Sequence, residues 1–115
     1  MTPEELKALA EKVWQWCGFK KVEPGWVVIS NLVGDYHGSE LPTLDMNNFW
    51  RWAVPKLLEM GLESVYFYGP ERDVNPNWGC ELTIGKCCYG YHPDPGYAAF
   101  KAVENLIDQE AADGV

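Results

Sequence analysis

Positive charge is scarce in this chain. Among 115 residues, 9 Lys and Arg stand against 17 Asp and Glu, giving a formal net charge of -8 and a pI near 4.6. Binding to a phosphate backbone by counterion release needs clustered cations, so DNA and RNA are excluded as expected partners. Long apolar runs are also missing. Every apolar stretch is cut by Gly, Asn or a charge well short of the ~20 residues of a membrane helix, so no membrane association is expected. The opening Met1-Thr2-Pro3-Glu4-Glu5 has neither the basic nor the apolar part of a secretion signal, and a cytoplasmic location is expected. Internal repeats and low-complexity runs are absent, which excludes solenoids and strings of modules. So are G-x-S-x-G, the P-loop, G-x-G-x-x-G and H-E-x-x-H.

What is present suits one domain over 1–115, with 47% hydrophobic and 14% aromatic residues to fill a core. Thr2-Pro3-Glu4-Glu5 reads as a helix start with a capping box. Leu6, Leu9, Ala10, Val13 and Trp16 recur at helical spacing, which predicts a helix over 3–17, and Gly18 suits its end. After the Pro24-Gly25 turn, Trp26 to Leu32 reads as a strand, and Gly34 to Pro42 as a polar loop holding Tyr36 and His37. Thr43 or Asp45 caps a second helix whose face is Phe49, Trp52, Ala53, Leu57 and Met60. Pro55 lies inside it and predicts a kink or two short helices. Gly61 and Leu62 suit a Schellman ending.

Ser64 to Tyr68 is β-prone, Gly69 to Gly79 reads as a long connection, and Leu82 and Ile84 alternate with polar neighbours. The two strands should pair antiparallel. Asp94-Pro95 starts a last helix with the stripe Phe100, Val103, Leu106, Ile107 and Ala111. The reading is an α+β fold of order α-β-α-β-β-α. It has a small, mainly antiparallel sheet of three or slightly more strands and three helices, the economical arrangement being an α/β/α sandwich.

Candidate chemistry is thin. Cys80, Cys87, Cys88 and His92 are zinc-type donors, but intervals of six, none and three residues do not match paired zinc ligands, so no metal is assigned. Cys17 and the other three cysteines read as reduced, one or two of them as small core hydrophobes. Nothing in the spacing brings Cys87 or Cys88 to His37 or His92. His92 suits the cap of the last helix better than a catalytic pair. Glu4, Glu5, Asp45 and Asp94 have capping or helix-dipole roles, and Glu104, Asp108, Glu110 and Asp113 fit the wet face of the last helix. Aromatics are the unusual feature: 6 Trp, 6 Tyr and 4 Phe. Periodicity assigns Trp16, Phe49, Trp52, Phe67 and Phe100 to the core. Tyr36, Trp78, Tyr89, Tyr91 and Tyr97 fall near turns, while Trp50 and Arg51 fall off the stripe of the second helix. Beside Arg51, Arg72 and Lys86, such rings can stack on a planar ligand or anchor an interface; equally, they can cover core edges with their polar tips in water. The candidate ligand-binding set is Tyr36, His37, Trp50, Arg51, Trp78, Lys86 and Tyr89, with no catalytic residue and no cofactor.

The segments TPEELKALAEKVWQW, LPTLDMNNFWRWAVPKLLE and PDPGYAAFKAVENLI resemble the phage α/β/α (ABA) sandwich domain proteins over about half the chain. The sequence departs from them in its cysteines, in Pro55, and in a Tyr before the last helix. The resemblance implies a bacteriophage accessory protein in the host cytoplasm. Such a protein binds a host factor or sequesters a small nucleotide-like signalling molecule of antiphage defence, and a homo-oligomer is expected. The family carries no assigned catalytic residues, so none transfers. The alternatives are a structural, oligomeric phage protein without a ligand, or a small Cys/His-dependent hydrolase.

Overall fold

The structure, a computed structural model, describes residues 2–28, 34–71 and 75–113. The expected strand residues Ile29 to Leu32 and the candidate cation Arg72 lie outside the described residues.

Helix α1 spans Pro3–Trp16 and starts as its capping signal requires, with the Glu5 N–H donating to Thr2 Oγ1 at 3.1 Å. Its buried residues are Leu9, Val13 and Trp14. The stripe placed Trp16 in the core. Instead Trp14 is fully buried, its Nε1–H donating to the Pro42 carbonyl at 2.8 Å, while Trp16 is half-buried beneath the Lys56 ammonium, 4.9 Å from the ring centroid. Three short antiparallel strands follow as sheet A, in the order β1 (Lys20–Val22), β2 (Gly25–Val28), β3 (Tyr36–Gly38).

The second helical segment runs as α2 (Met46–Asn48), a π-helical turn (Phe49–Ala53) and α3 (Val54–Glu59). Asp45 caps it, accepting from the Asn48 N–H at 2.8 Å. Pro55 can give no N–H to the Arg51 carbonyl, and its ring would crowd that carbonyl in an α-helix. The chain widens one turn between two short α-helices, so that the Val54 N–H donates to the Phe49 carbonyl five residues back. The segment closes in a Schellman motif: Gly61 takes φ +98° and the Leu62 N–H donates to the Leu57 carbonyl at 3.0 Å.

Sheet B has the order β4 (Ser64–Tyr68), β5 (Trp78–Thr83), β6 (Cys87–His92), all antiparallel. Helix α4, Pro95–Asp113, packs on β5 and β6 and is capped by Asp94, which accepts from the Gly96 and Tyr97 N–H groups. The fold is α+β as expected, but six described strands divide between two sheets where about three in one sheet were expected. Strands β1 and β3 are three residues long, too short to show a period. Strand β6 carries large residues outward and Cys88 and Gly90 inward, so its hydropathy does not alternate in the usual sense. Tyr36, Trp78, Tyr89 and Tyr91, read as near turns, therefore lie in strands. Helix α4 covers one face of sheet B, whereas the opposite face is open to solvent where a sandwich would have covered it.

A chain of ring contacts joins the two sheets through the helices. Tyr36 of β3 meets Phe19, Phe19 meets Trp14, Trp14 meets Phe100 of α4, and Phe100 meets Phe49, which touches Phe67 of β4; all centroids are 5.2–6.1 Å apart. Such pairs contribute ~0.5–1.5 kcal/mol each beyond the area they bury, and this series makes one core from two small sheets. Lys12 ties α1 to α4 at the rim, 2.6 Å from Asp108 and 3.5 Å from Glu104.

Candidate functional site

Successive strand residues point to opposite sides, so register decides what each face of sheet B carries. On the α4 side, Val65, Leu82 and Cys88 form one cross-strand row, and Phe67, Cys80 and Gly90 the next. On the open side the rows are Ser64, Thr83 and Cys87; Tyr66, Glu81 and Tyr89; and Tyr68, Gly79 and Tyr91. Four tyrosines thus surround one carboxylate on a face that no described helix covers. Tyr66, Tyr89 and Tyr91 are 60%, 41% and 48% exposed.

The platform is internally ordered. Gly79 has no side chain, and the Tyr68 ring lies over it; a Cβ there would come within 2.1 Å of Tyr68 Cε2. From that position Tyr68 Oη–H donates to Tyr91 Oη at 3.0 Å, and the Tyr66 and Tyr68 rings lie 5.8 Å apart at 36°. The hydrogen bond to Tyr91 is the main cause raising the Tyr68 phenol above its ordinary pKa, with burial next and the charge of Glu81 contributing. Tyr89 is also raised, first by its hydrogen bond with Cys87. Among the described residues no lysine or arginine pairs with Glu81. The edge of β6 beside this face is occupied, because Asn105 of α4 donates to the Tyr89 carbonyl, which blunts addition of a further strand there.

The residues singled out from the sequence do not share one pocket. Tyr36 is half-buried against Phe19 and Trp52, and the Arg51 guanidinium lies 4.9 Å over the Trp52 ring, so these two approach each other through Trp52. Trp50, on the π-helical turn, is exposed with its ring against Phe49. His37 is exposed on β3, in a shallow depression shared with Val22, Pro24 and Trp26. Trp78 sits on the α4-side face of β5, next to Gly69. Lys86 belongs to the turn between β5 and β6, where Gly85 takes φ +75°. Only Tyr89 reaches the open face. Tyr66, Tyr68, Glu81 and Tyr91 were missed as a group. The alternation of large and small residues in Cys87–His92 was their available signal, together with the glycine turn before it.

A second concavity of about 400 Å³ lies between α1 and sheet A. It is lined by Lys7, Glu11, Lys21, Trp26, Ser39 and Glu40 among others, with the Lys21 ammonium 5.7 Å from the Trp26 ring centroid.

The cysteines are poorly set for nucleophilic work. Burial pushes Cys17 and Cys80 up to about 12 and raises Cys88, so all three remain thiols at neutral pH. Cys87 is exposed, but His92 stands five residues along β6, ~16 Å away at the strand rise and on the other face. His92 Nδ1 accepts from the Asp94 N–H at 3.0 Å, a cap position as its sequence context suggested. Among the described residues, no three His, Cys, Asp or Glu side chains converge as metal ligands, and no helix is long and apolar enough to cross a membrane. No family model matches the chain, and no curated protein or solved structure matches it either.

Proposed function

We propose that this chain is a binding protein without chemistry of its own, and that the open face of sheet B is its recognition surface for a host protein. The resemblance to phage ABA domains suggests the setting, a bacteriophage accessory protein in the host cytoplasm. The observation that carries the reading is the pair of rows Tyr66-Glu81-Tyr89 and Tyr68-Gly79-Tyr91, exposed on three paired strands. Tyrosine brings a large apolar area with few rotatable bonds and a polar tip, which makes it a frequent interface anchor. Three paired strands backed by α4 present four of them, and their mutual contacts order part of the surface before binding. The buried, protonated thiols weigh against the hydrolase alternative.

A photo-crosslinking side chain placed at position 64 or 87 of the full chain, exposed beside the tyrosine rows, tests this in infected cells. Discrete protein adducts are expected from those positions and none from position 37 in sheet A. Equal adducts from all three, or none from 64 and 87, would refute it.

A second reading, sequestration of a nucleotide-like molecule, is supported by the groove between α1 and sheet A, where Lys7 and Lys21 accompany Trp26. A thermal shift with cyclic nucleotides or ADP-ribose derivatives, lost in Lys21→Ala, is its expected mark. The homo-oligomer expected from sequence would use a surface other than the tyrosine face. A two-fold pairing there would bring two copies of Glu81 together and strip both of water.

A further inference from the structure

We propose that the tyrosine face binds an arginine-bearing segment of its partner protein, with the guanidinium seated between Tyr66 and Tyr89 over Glu81. The inference rests on the reading of this face as the recognition surface and names what it recognises.

Glu81 occupies the central strand, with Tyr66 directly across from it on β4 and Tyr89 directly across on β6. The outer strands stand ~9–10 Å apart, two strand spacings, so the two phenols flank the carboxylate on either side along one cross-strand row. That separation leaves room for a planar cation over the carboxylate. Ring faces carry negative electrostatic potential and attract cations, and guanidinium also matches a carboxylate through paired N–H groups and stacks on aromatic rings, which an ammonium does not. The Tyr91 hydroxyl accepts from Tyr68, leaving its own proton free for an outward acceptor such as a peptide carbonyl beside the arginine.

Other occupants fit less well. A phosphate or other anion would meet Glu81 and a protein of net charge -8. A purely apolar partner would leave the carboxylate desolvated with no counter-charge, since no described lysine or arginine pairs with it. A second copy of this chain would oppose two like charges. The field of Glu81 is felt at the surrounding groups, where it helps hold the Tyr68 and Tyr89 phenols and the Cys80 thiol in their protonated forms.

The test is a titration, followed by amide NMR shifts, of the full chain with the blocked peptide Gly-Arg-Gly-Arg-Gly and with its citrulline counterpart, which keeps the shape and removes the charge. Shifts should concentrate on β4, β5 and β6 for the arginine peptide, and the citrulline peptide should bind about tenfold more weakly or not at all. Glu81→Gln should weaken the arginine peptide about tenfold, and Tyr66→Ala with Tyr89→Ala by at least as much. Glu59→Gln, which removes the same charge from the exposed end of α3, should leave it unchanged. Equal binding of citrulline, equal weakening by Glu59→Gln, or shifts spread over both sheets would overturn the proposal. Position-specific crosslinking at 64 and 87 that survives Glu81→Gln undiminished would keep the face as a recognition surface while sinking arginine as its target. Absence of crosslinks from 64 and 87 in the otherwise unaltered chain would sink both.

Discussion

Two glycines in sheet B separate what the fold demands from what the surface merely prefers. A Cβ built on Gly90 would lie 2.2 Å from the Ala98 carbonyl oxygen and 2.3 Å from the Ala102 nitrogen, both backbone atoms of α4. Ordinary carbon contacts begin near 3.4 Å, so Gly90→Ala asks α4 to retreat by about 1.2 Å. That helix contributes Ala98, Ala99, Phe100, Ala102, Val103 and Leu106 to the core, none more than 1% exposed. A radial gap of 0.5–1 Å already forfeits about a quarter to a half of the dispersion energy of a contact. Overpacking of this kind costs ~1–3 kcal/mol, and backbone against backbone belongs at the upper end, ~3 kcal/mol. For a chain of this length that lowers the melting temperature by about 12 °C. Gly79→Ala is the matched comparison. Its Cβ would come just as close, 2.1 Å, but to the Tyr68 ring, which can swing into solvent. That variant should lose under ~1 kcal/mol, partly offset by a stiffer unfolded chain, and should release the Tyr68–Tyr91 hydrogen bond. Circular-dichroism melts and urea midpoints of both variants read the difference directly. Gly90→Ala melting within 2 °C of the parent, or the two variants falling equally, would refute the close seating of α4 on β6.

Alkaline pH should destabilise the protein through its buried thiols. Cys17 and Cys80 are raised from about 9 to about 12 in the fold, so the unfolded chain releases these protons first. Their stabilisation is fully present below pH 9 and is lost as pH rises towards 12, by up to ~1.4 kcal/mol per pH unit for each thiol. A urea midpoint that does not fall between pH 8.5 and 10.5 would contradict this. Asp94→Ala removes the acceptor for the Gly96 and Tyr97 N–H groups at 2.8 and 3.1 Å. It should cost ~1 kcal/mol, read as a melting drop of ~4 °C that Asp94→Asn largely restores. Trp14→Phe keeps a ring in the core but strips the buried Pro42 carbonyl of its donor. A loss of ~1–3 kcal/mol is expected in urea unfolding, and no loss would mean that water replaces the indole.

Local chemistry made much of this protein legible in its sequence. Thr2 with Pro3, Asp94 with Pro95, and Gly61 with Leu62 each announce a helix end through a few neighbouring atoms, and each forms as announced. The helical stripe of 46–59 and most of that of α4 are also readable, since core-facing residues must recur every three or four positions, although Ala111, placed on the stripe, is exposed. Trp50 and Arg51 were read as lying off the stripe and are exposed.

Three matters were decided only by tertiary contact. Pro55 had to disturb its helix, and two short α-helices result as expected, but the widened turn that joins them goes with keeping both Phe49 and Leu57 buried. Strand β6 escaped a pattern-based reading because α4 backbone fills the space over Gly90 that side chains would ordinarily fill. The candidate site escaped for the same kind of reason. Tyr66, Glu81 and Tyr89 are separated by loops and a turn in sequence and become neighbours only when three strands pair in one register. Spacing along the chain records what lies next to what within an element; hydrogen bonding between strands sets what lies next to what across them.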